Sequence, residues 1–171
     1  MLNIKYLCET YAVVQCKPCI RTIRFCNDHY RISLPYQVFT FQFVSDYKSG
    51  FFVTDQYLYF RKSPLGIKNN MLYLPPLPNI NSEGAICLGG FNSHGQHIQL
   101  IKRVIDKFWQ SKFNDEYDNA LSRYNYDATK TLKKWTTKTK QNPGCWEKMR
   151  LLPCERLVLY DDKPVINSLS R

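Results

Sequence analysis

Apolar and polar positions alternate most cleanly over Gln37-Val-Phe-Thr-Phe-Gln-Phe-Val-Ser45, which sets Phe39, Phe41 and Phe43 on one side. That period of two predicts a half-buried strand with an aromatic inner face. Lys48-Ser-Gly50 turns the chain into two further apolar runs, Phe51 to Thr54 and Gln56 to Arg61, which complete an antiparallel meander. Leu72-Tyr-Leu74 predicts one more short strand, after loop signals at Ser63 to Gly66 and Lys68 to Asn70. Upstream, Tyr11 to Gln15 and Ile20 to Phe25 read as two short strands about a Cys16-Lys-Pro-Cys19 turn.

Past Gly90 the period changes. Ser93-His-Gly-Gln96 has the form of a capping box, with Ser93 as N-cap and His94 in the first helical position. Ile98, Ile101, Ile105 and Phe108, with Leu100 and Val104 beside them, then follow helical spacing to about Lys112. Asn114-Asp-Glu116 predicts a second helix through about Tyr124. Ala128, Leu132 and Trp135 mark a third, stopped by Asn142-Pro-Gly144. Arg156 to Tyr160 is a short extra strand or an extended segment, and Ile166 to Arg171 a fraying tail. A strand-rich first half before a helical second half is an α+β pattern, expected as one domain over residues 1–165 with a β-rich extension over 1–30.

Between the halves lies Leu74-Pro-Pro-Leu-Pro-Asn-Ile-Asn-Ser-Glu-Gly-Ala-Ile-Cys-Leu-Gly-Gly90. Pro75, Pro76 and Pro78 fix three φ angles and remove three backbone donors, so no regular strand runs through them. Asn79 therefore sits on a stiff, irregular approach, and Asn81 to Gly84 reads as a turn. Cys87 follows Asn79 by eight residues and precedes two glycines. An amide presented on a stiff turn near a nucleophilic thiol is suited to stabilising an oxyanion formed there. A short run such as Ala85 to Leu88 also suits a buried core cysteine, and Asn79 also suits a turn former that bonds backbone.

Pro78-Asn-Ile-Asn-Ser-Glu-Gly-Ala-Ile-Cys-Leu88 resembles the active-site segment of ubiquitin-conjugating enzymes, His-Pro-Asn-Ile-x-x-x-Gly-x-Ile-Cys-Leu. The close match covers about fifteen residues, and weaker similarity runs from Pro35 to Asn114, including Phe108-Trp-Gln-Ser-Lys-Phe-Asn114. The family's histidine is Leu77 here, and in this the chain is similar to the bacterial branch of that family.

The resemblance implies a ubiquitin-conjugating-like fold, in which an antiparallel meander precedes helices packed on the sheet. It implies that Cys87 carries a ubiquitin-like protein as a thioester and passes it to an amine, with Asn79 stabilising the tetrahedral oxyanion. No metal or small cofactor is required. It further implies partners encoded nearby: a ubiquitin-like protein, an adenylating enzyme of the ThiF type and a JAB-type protease, in a bacterial conjugation operon of the kind linked to antiphage defence. His94 or His97, downstream of the cysteine, is expected to replace the histidine that Leu77 displaces. A helix start a few residues past Cys87 would favour the thiolate if its N–H groups faced the sulfur. Such enzymes usually open with a helix that docks the activating enzyme, and no amphipathic helix precedes residue 30 here.

Composition narrows the alternatives. Forty-four per cent hydrophobic and fifteen per cent aromatic residues argue for a globular chain. No apolar run reaches a membrane-span length and no signal peptide is evident, so seven cysteines suggest free thiols in the cytoplasm. Cys16-x-x-Cys19 and Cys26-x-x-His29 supply zinc-ligand types, but six residues separate the pairs and a proline hairpin accounts for them. No metal is expected.

The formal charge of +10 concentrates between Ala128 and Arg150. There Lys130, Lys133, Lys134, Lys138, Lys140, Lys148 and Arg150 face only Glu147. This suits a solvated helix face, an acidic protein partner reached through Lys130, Lys133 and Lys134, or a nucleic-acid backbone. No RNA- or DNA-binding motif accompanies it. A non-catalytic domain of the same fold, binding ubiquitin-like proteins without transfer, is the other alternative.

Overall fold

The computed structural model describes residues 2–48, 50–66, 71–91, 93–114, 127–148 and 151–153. The expected second helix beyond Asn114, the segment Arg156 to Tyr160 and the tail from Ile166 lie outside these residues, as do Cys154 and Arg150.

Strands β1 (Leu2–Leu7), β2 (Tyr11–Cys16), β5 (Tyr36–Asp46) and β6 (Gly50–Arg61) form the antiparallel body of the main sheet. Short strands β7 (Tyr73–Leu74) and β10 (Leu152–Pro153) extend it past β6, and β8 (His94–Gly95) pairs with the start of β6. A second sheet joins β3 (Cys19–Phe25), β4 (Asp28–Leu34) and β9 (Lys112–Phe113), with β9 parallel to β3. Helices α1 (His97–Gln110) and α2 (Ala128–Gln141) follow, then a 3₁₀ turn over Cys145–Lys148. None of the described helices is long and apolar enough to cross a membrane.

The alternation in β5 does what its period demands: Phe39, Phe41 and Phe43 are all buried, with successive rings stacked 6.2–6.3 Å apart. Gln37, on the same face, is buried with them, and the opposite face is buried too at Val38 and Thr40, Val38 joining a second cluster with Val13, Tyr59 and Leu72. Phe51 to Arg61 is one strand rather than two. Thr54 is accommodated by a bulge opposite Gln42 and Phe43, so β6 pairs with β5 along nearly its whole length.

The Cys16-Lys-Pro-Cys19 turn is a corner, not a hairpin. The two strands it joins do not pair: β2 lies between β1 and β5, while β3 pairs with β4 and β9. Proline and the absence of a positive-φ residue there suit a change of sheet better than a tight reversal. Gln37, fully buried, holds this crossing: its amide nitrogen lies 3.4 Å from the Lys17 carbonyl, the Cys19 sulfur and the Pro35 carbonyl. The first thirty residues are thus woven into both sheets. Strand β3 also carries Cys19 and Cys26 to opposite ends, about 20 Å apart at normal strand rise. Among the described residues no group of three or more His, Cys, Asp or Glu is placed to hold a metal.

Helix α2 closes the open edge of β4. The Trp135 indole donates to the Ser33 carbonyl at 3.0 Å, and the Ser33 N–H donates to Thr139 Oγ1 at 2.9 Å. Two backbone groups that the ladder leaves unpaired are satisfied from the helix, while Leu132 and Trp135 enter the core.

Candidate active site

Chain entry into the site is set by burial. Pro75, Pro76, Leu77 and Pro78 are all buried, Leu77 completely. The position where the resembling family has histidine is here part of the main apolar cluster, which explains a leucine.

Asn79 follows with φ of +59°, a left-handed conformation that asparagine tolerates better than other side-chain-bearing residues. It is 6% exposed. Its Oδ1 accepts from the Asn114 N–H at 2.9 Å, and its Nδ2 donates to the Lys112 carbonyl at 3.4 Å. Its own carbonyl accepts from the Cys87 N–H at 2.8 Å. One residue therefore fixes both the cysteine loop and the segment leaving β9.

Between them the chain makes a tight excursion. Asn81 Oδ1 accepts from the N–H groups of Glu83 and Ala85, and Ile80 bridges Ile86. Gly84 has φ of +95°, and a Cβ there would lie 2.6 Å from Tyr59 Cε1. Glycine is required on both counts. The Ile86 N–H donates to the Gln56 carbonyl and the Leu58 N–H to the Gly84 carbonyl, docking the segment on β6 between its pairings with β8 and β7. Cys87 emerges half-buried, followed by half-buried Leu88 and exposed Gly89 and Gly90.

The cysteine opens on a cleft of about 560 Å³ lined by Asn79, Leu88, Gly89, Ser111 and Asn114, and by the cations Arg24, Lys107 and Lys112 with Gln110. Three long-range contacts assemble the cationic wall. Arg24 and Lys112 are register partners across the parallel β3–β9 pair, and Arg24 donates to the Gln110 carbonyl at 2.9 Å. The Lys107 ammonium lies 6.0 Å over the Phe91 ring. Lys107 and Gln110 belong to the last turn of α1.

This geometry corrects the expected helix start. The capping box does not form: α1 begins at His97, its N-cap is Gln96 without a side-chain bond, and Ser93 Oγ instead accepts from Arg103. His94 and Gly95 pair with Phe52 and Phe51 as β8, which holds these two residues extended instead of helical. The end of α1 that lines the cleft is its C-terminal one. The N-terminus lies about 20 Å away along the axis, so its dipole does not serve Cys87.

Neither histidine lines the cleft. His94 is exposed with its ring 5.8 Å from Phe52. His97 donates through Nε2 to the Glu9 carbonyl at 2.8 Å and packs on Phe43 and Phe51 at 4.6 and 3.9 Å, tying the β1–β2 turn to α1. Lys130, Lys133 and Lys134 are exposed on the outer face of α2. Arg24, Lys107, Gln110 and Lys112 carry no local sequence signal, because their meeting depends on the β3–β9 pairing.

A model of prokaryotic E2 family D matches residues 8–153. The chain belongs to that family. The match runs from the β1–β2 turn to β10, well beyond the Pro35–Asn114 similarity, so it takes in strands β2, β3 and β4. Its antiparallel sheet with helices is compatible with the ubiquitin-conjugating fold, and E2 membership implies a role in ubiquitin-like conjugation. No curated protein and no solved structure matches the chain.

Proposed function

We propose that this prokaryotic E2 carries a ubiquitin-like protein as a thioester on Cys87 and transfers it to an amine. The observation that carries the reading is Cys87, half-buried at the cleft, with its backbone N–H donating to the carbonyl of Asn79, which lines the same cleft. A thioester carrier must meet two macromolecules in turn, and the exposed Gly89 and Gly90 leave the sulfur approachable on one side. The cleft holds no histidine or carboxylate among its described lining residues, which suits an ester that must outlast its encounter with water.

The Asn79 amide nitrogen has two hydrogens, one directed to the Lys112 carbonyl. The second is the donor we assign to the oxyanion that forms when an amine adds to the thioester carbonyl. In this reading the carboxyl of the modifier arrives as an adenylate from a ThiF-type activating enzyme, a JAB-type protease acts in the same system, and no cofactor is needed. We also propose His94 as the group that assists Cys87, from outside the described cleft lining. The basic face of α2, with Lys130, Lys133 and Lys134, is assigned to an acidic partner, and we take this to be the activating enzyme.

With activating enzyme, modifier and ATP, the wild-type chain should gain a modifier-sized adduct that thiol reductants remove. Cys87→Ser should gain it more slowly and retain it in reductant, since an oxyester resists thiolysis. Cys87→Ala should gain none; a reducible adduct on that variant moves the carrier role to another cysteine. A folded wild-type chain that binds the modifier but never accepts it would instead make this a binding domain.

A further inference from the structure

The cleft beside Cys87 has a charge that transfer to a bare lysine does not explain. Arg24, Lys107 and Lys112 all line it, and none of its described lining residues is an acid. Arg24 and Lys112 are also Cα register partners on the parallel β3–β9 pair, which sets two like charges on neighbouring strands. All three are exposed, so none is a core charge, and the partners of Arg24 and Lys107, the Gln110 carbonyl and the Phe91 ring, leave their charges unneutralised. Three like charges with no acid among the described lining residues suit an anionic group that arrives from outside.

An incoming lysine ammonium is repelled by this wall. We propose that the cleft selects an acidic acceptor segment, an amine flanked by carboxylates; this rests on the reading of Cys87 as thioester carrier. The carboxylates meet Arg24, Lys107 and Lys112, which holds the amine beside the thioester, and the amine first gives up a proton to solvent. The amine nitrogen then adds to the thioester carbonyl carbon and gives up a second proton to solvent, and the C–S bond breaks. The Cys87 sulfur leaves with the electron pair as thiolate, and a neutral amide remains. Leu88 and the chain of Gly89 supply the uncharged side of the cleft, against which the apolar stem of the lysine lies.

The test uses the purified Cys87 thioester in single turnover, so that charging does not enter. Two peptides are compared, each with one lysine, flanked by glutamates in one and by arginines in the other. The wild type should prefer the glutamate peptide by roughly three- to tenfold at low salt, a range set by exposed charge pairs, and the preference should shrink as salt is added. Lys107→Glu with Lys112→Glu should reverse the preference, and Lys107→Gln with Lys112→Gln should bring the ratio close to one.

Equal wild-type rates for the two peptides would overturn the inference. So would an unchanged preference in the charge-reversed variant. An equal loss of reactivity toward both peptides and toward hydroxylamine, which is uncharged at neutral pH, would also overturn it, since the cations would then act on the thioester and its attached tail. If no thioester forms on wild-type Cys87, both readings fall. A thioester without peptide preference removes this one alone.

Discussion

Asn79 does two jobs that its side chain and backbone divide between them. The left-handed φ and the carbonyl bond to the Cys87 N–H are backbone properties, whereas the bonds to Asn114 and Lys112 belong to the side chain. Asn79→Gly should keep the first and lose the second, at a cost of about 1–2 kcal/mol in urea unfolding. Asn79→Ala should cost roughly 1 kcal/mol more, because alanine is strained at that φ. If Asn79 also donates to the oxyanion, both variants should charge close to normally yet discharge to lysine more slowly by on the order of 100-fold. Slowing that merely tracks the lost stability would leave it a structural residue. The Pro-Asn to Cys frame was legible because it is local in sequence. What was not legible is where the amide goes, since Lys112 and Asn114 lie more than thirty residues downstream.

At the level of elements, pattern reading worked where one periodicity dominated. Strand β5 and helix α2 fall almost where their sequences place them, α2 ending at Gln141 before the expected Asn142-Pro-Gly144 stop. Helix α1 keeps Leu100, Ile101, Val104, Ile105 and Phe108 inside, but Ile98 is 59% exposed and Trp109 is buried in its place. The four residues before α1 look like a cap, yet edge pairing of His94 and Gly95 with β6 prevails over that local signal. Helix α2 presents Lys130, Lys133, Lys134, Lys138 and Lys140 to solvent around a buried stripe of Leu132, Trp135 and Thr139. If this face docks an acidic activating enzyme, Lys133→Glu with Lys134→Glu should slow thioester formation on Cys87 by about tenfold at low salt and far less at high salt. Charging rates equal to wild type at both ionic strengths would assign the lysines to solvation alone.

Across the whole molecule, the α+β class was visible in the strand-to-helix order, but the division into two sheets was not. Which strand pairs with which is a long-range choice, and Cys16-Lys-Pro-Cys19 reads equally well as a hairpin or a corner. Because it is a corner, Cys16 ends β2 inside the main core, only 6% exposed. Burial pushes its thiol up to about 11, with the nearby Arg21 charge opposing the shift. The raised value has a stability consequence of definite sign. From about pH 9 to about pH 11 the unfolded chain gives up the Cys16 proton while the folded one keeps it, so fewer protons are bound in the unfolded state and stability falls with rising pH. A shift from 9.0 to about 11 corresponds to a loss on the order of 2–3 kcal/mol by the top of that window. Other groups titrate there too, so the readout is a difference between proteins. Urea unfolding at pH 8 and pH 10.5 should show wild type losing more stability than Cys16→Ala across the interval, although the alanine variant starts lower for lack of the buried sulfur. Equal losses would mean that Cys16 ionises alike in the folded and unfolded chains, and that the corner between the sheets is open to water.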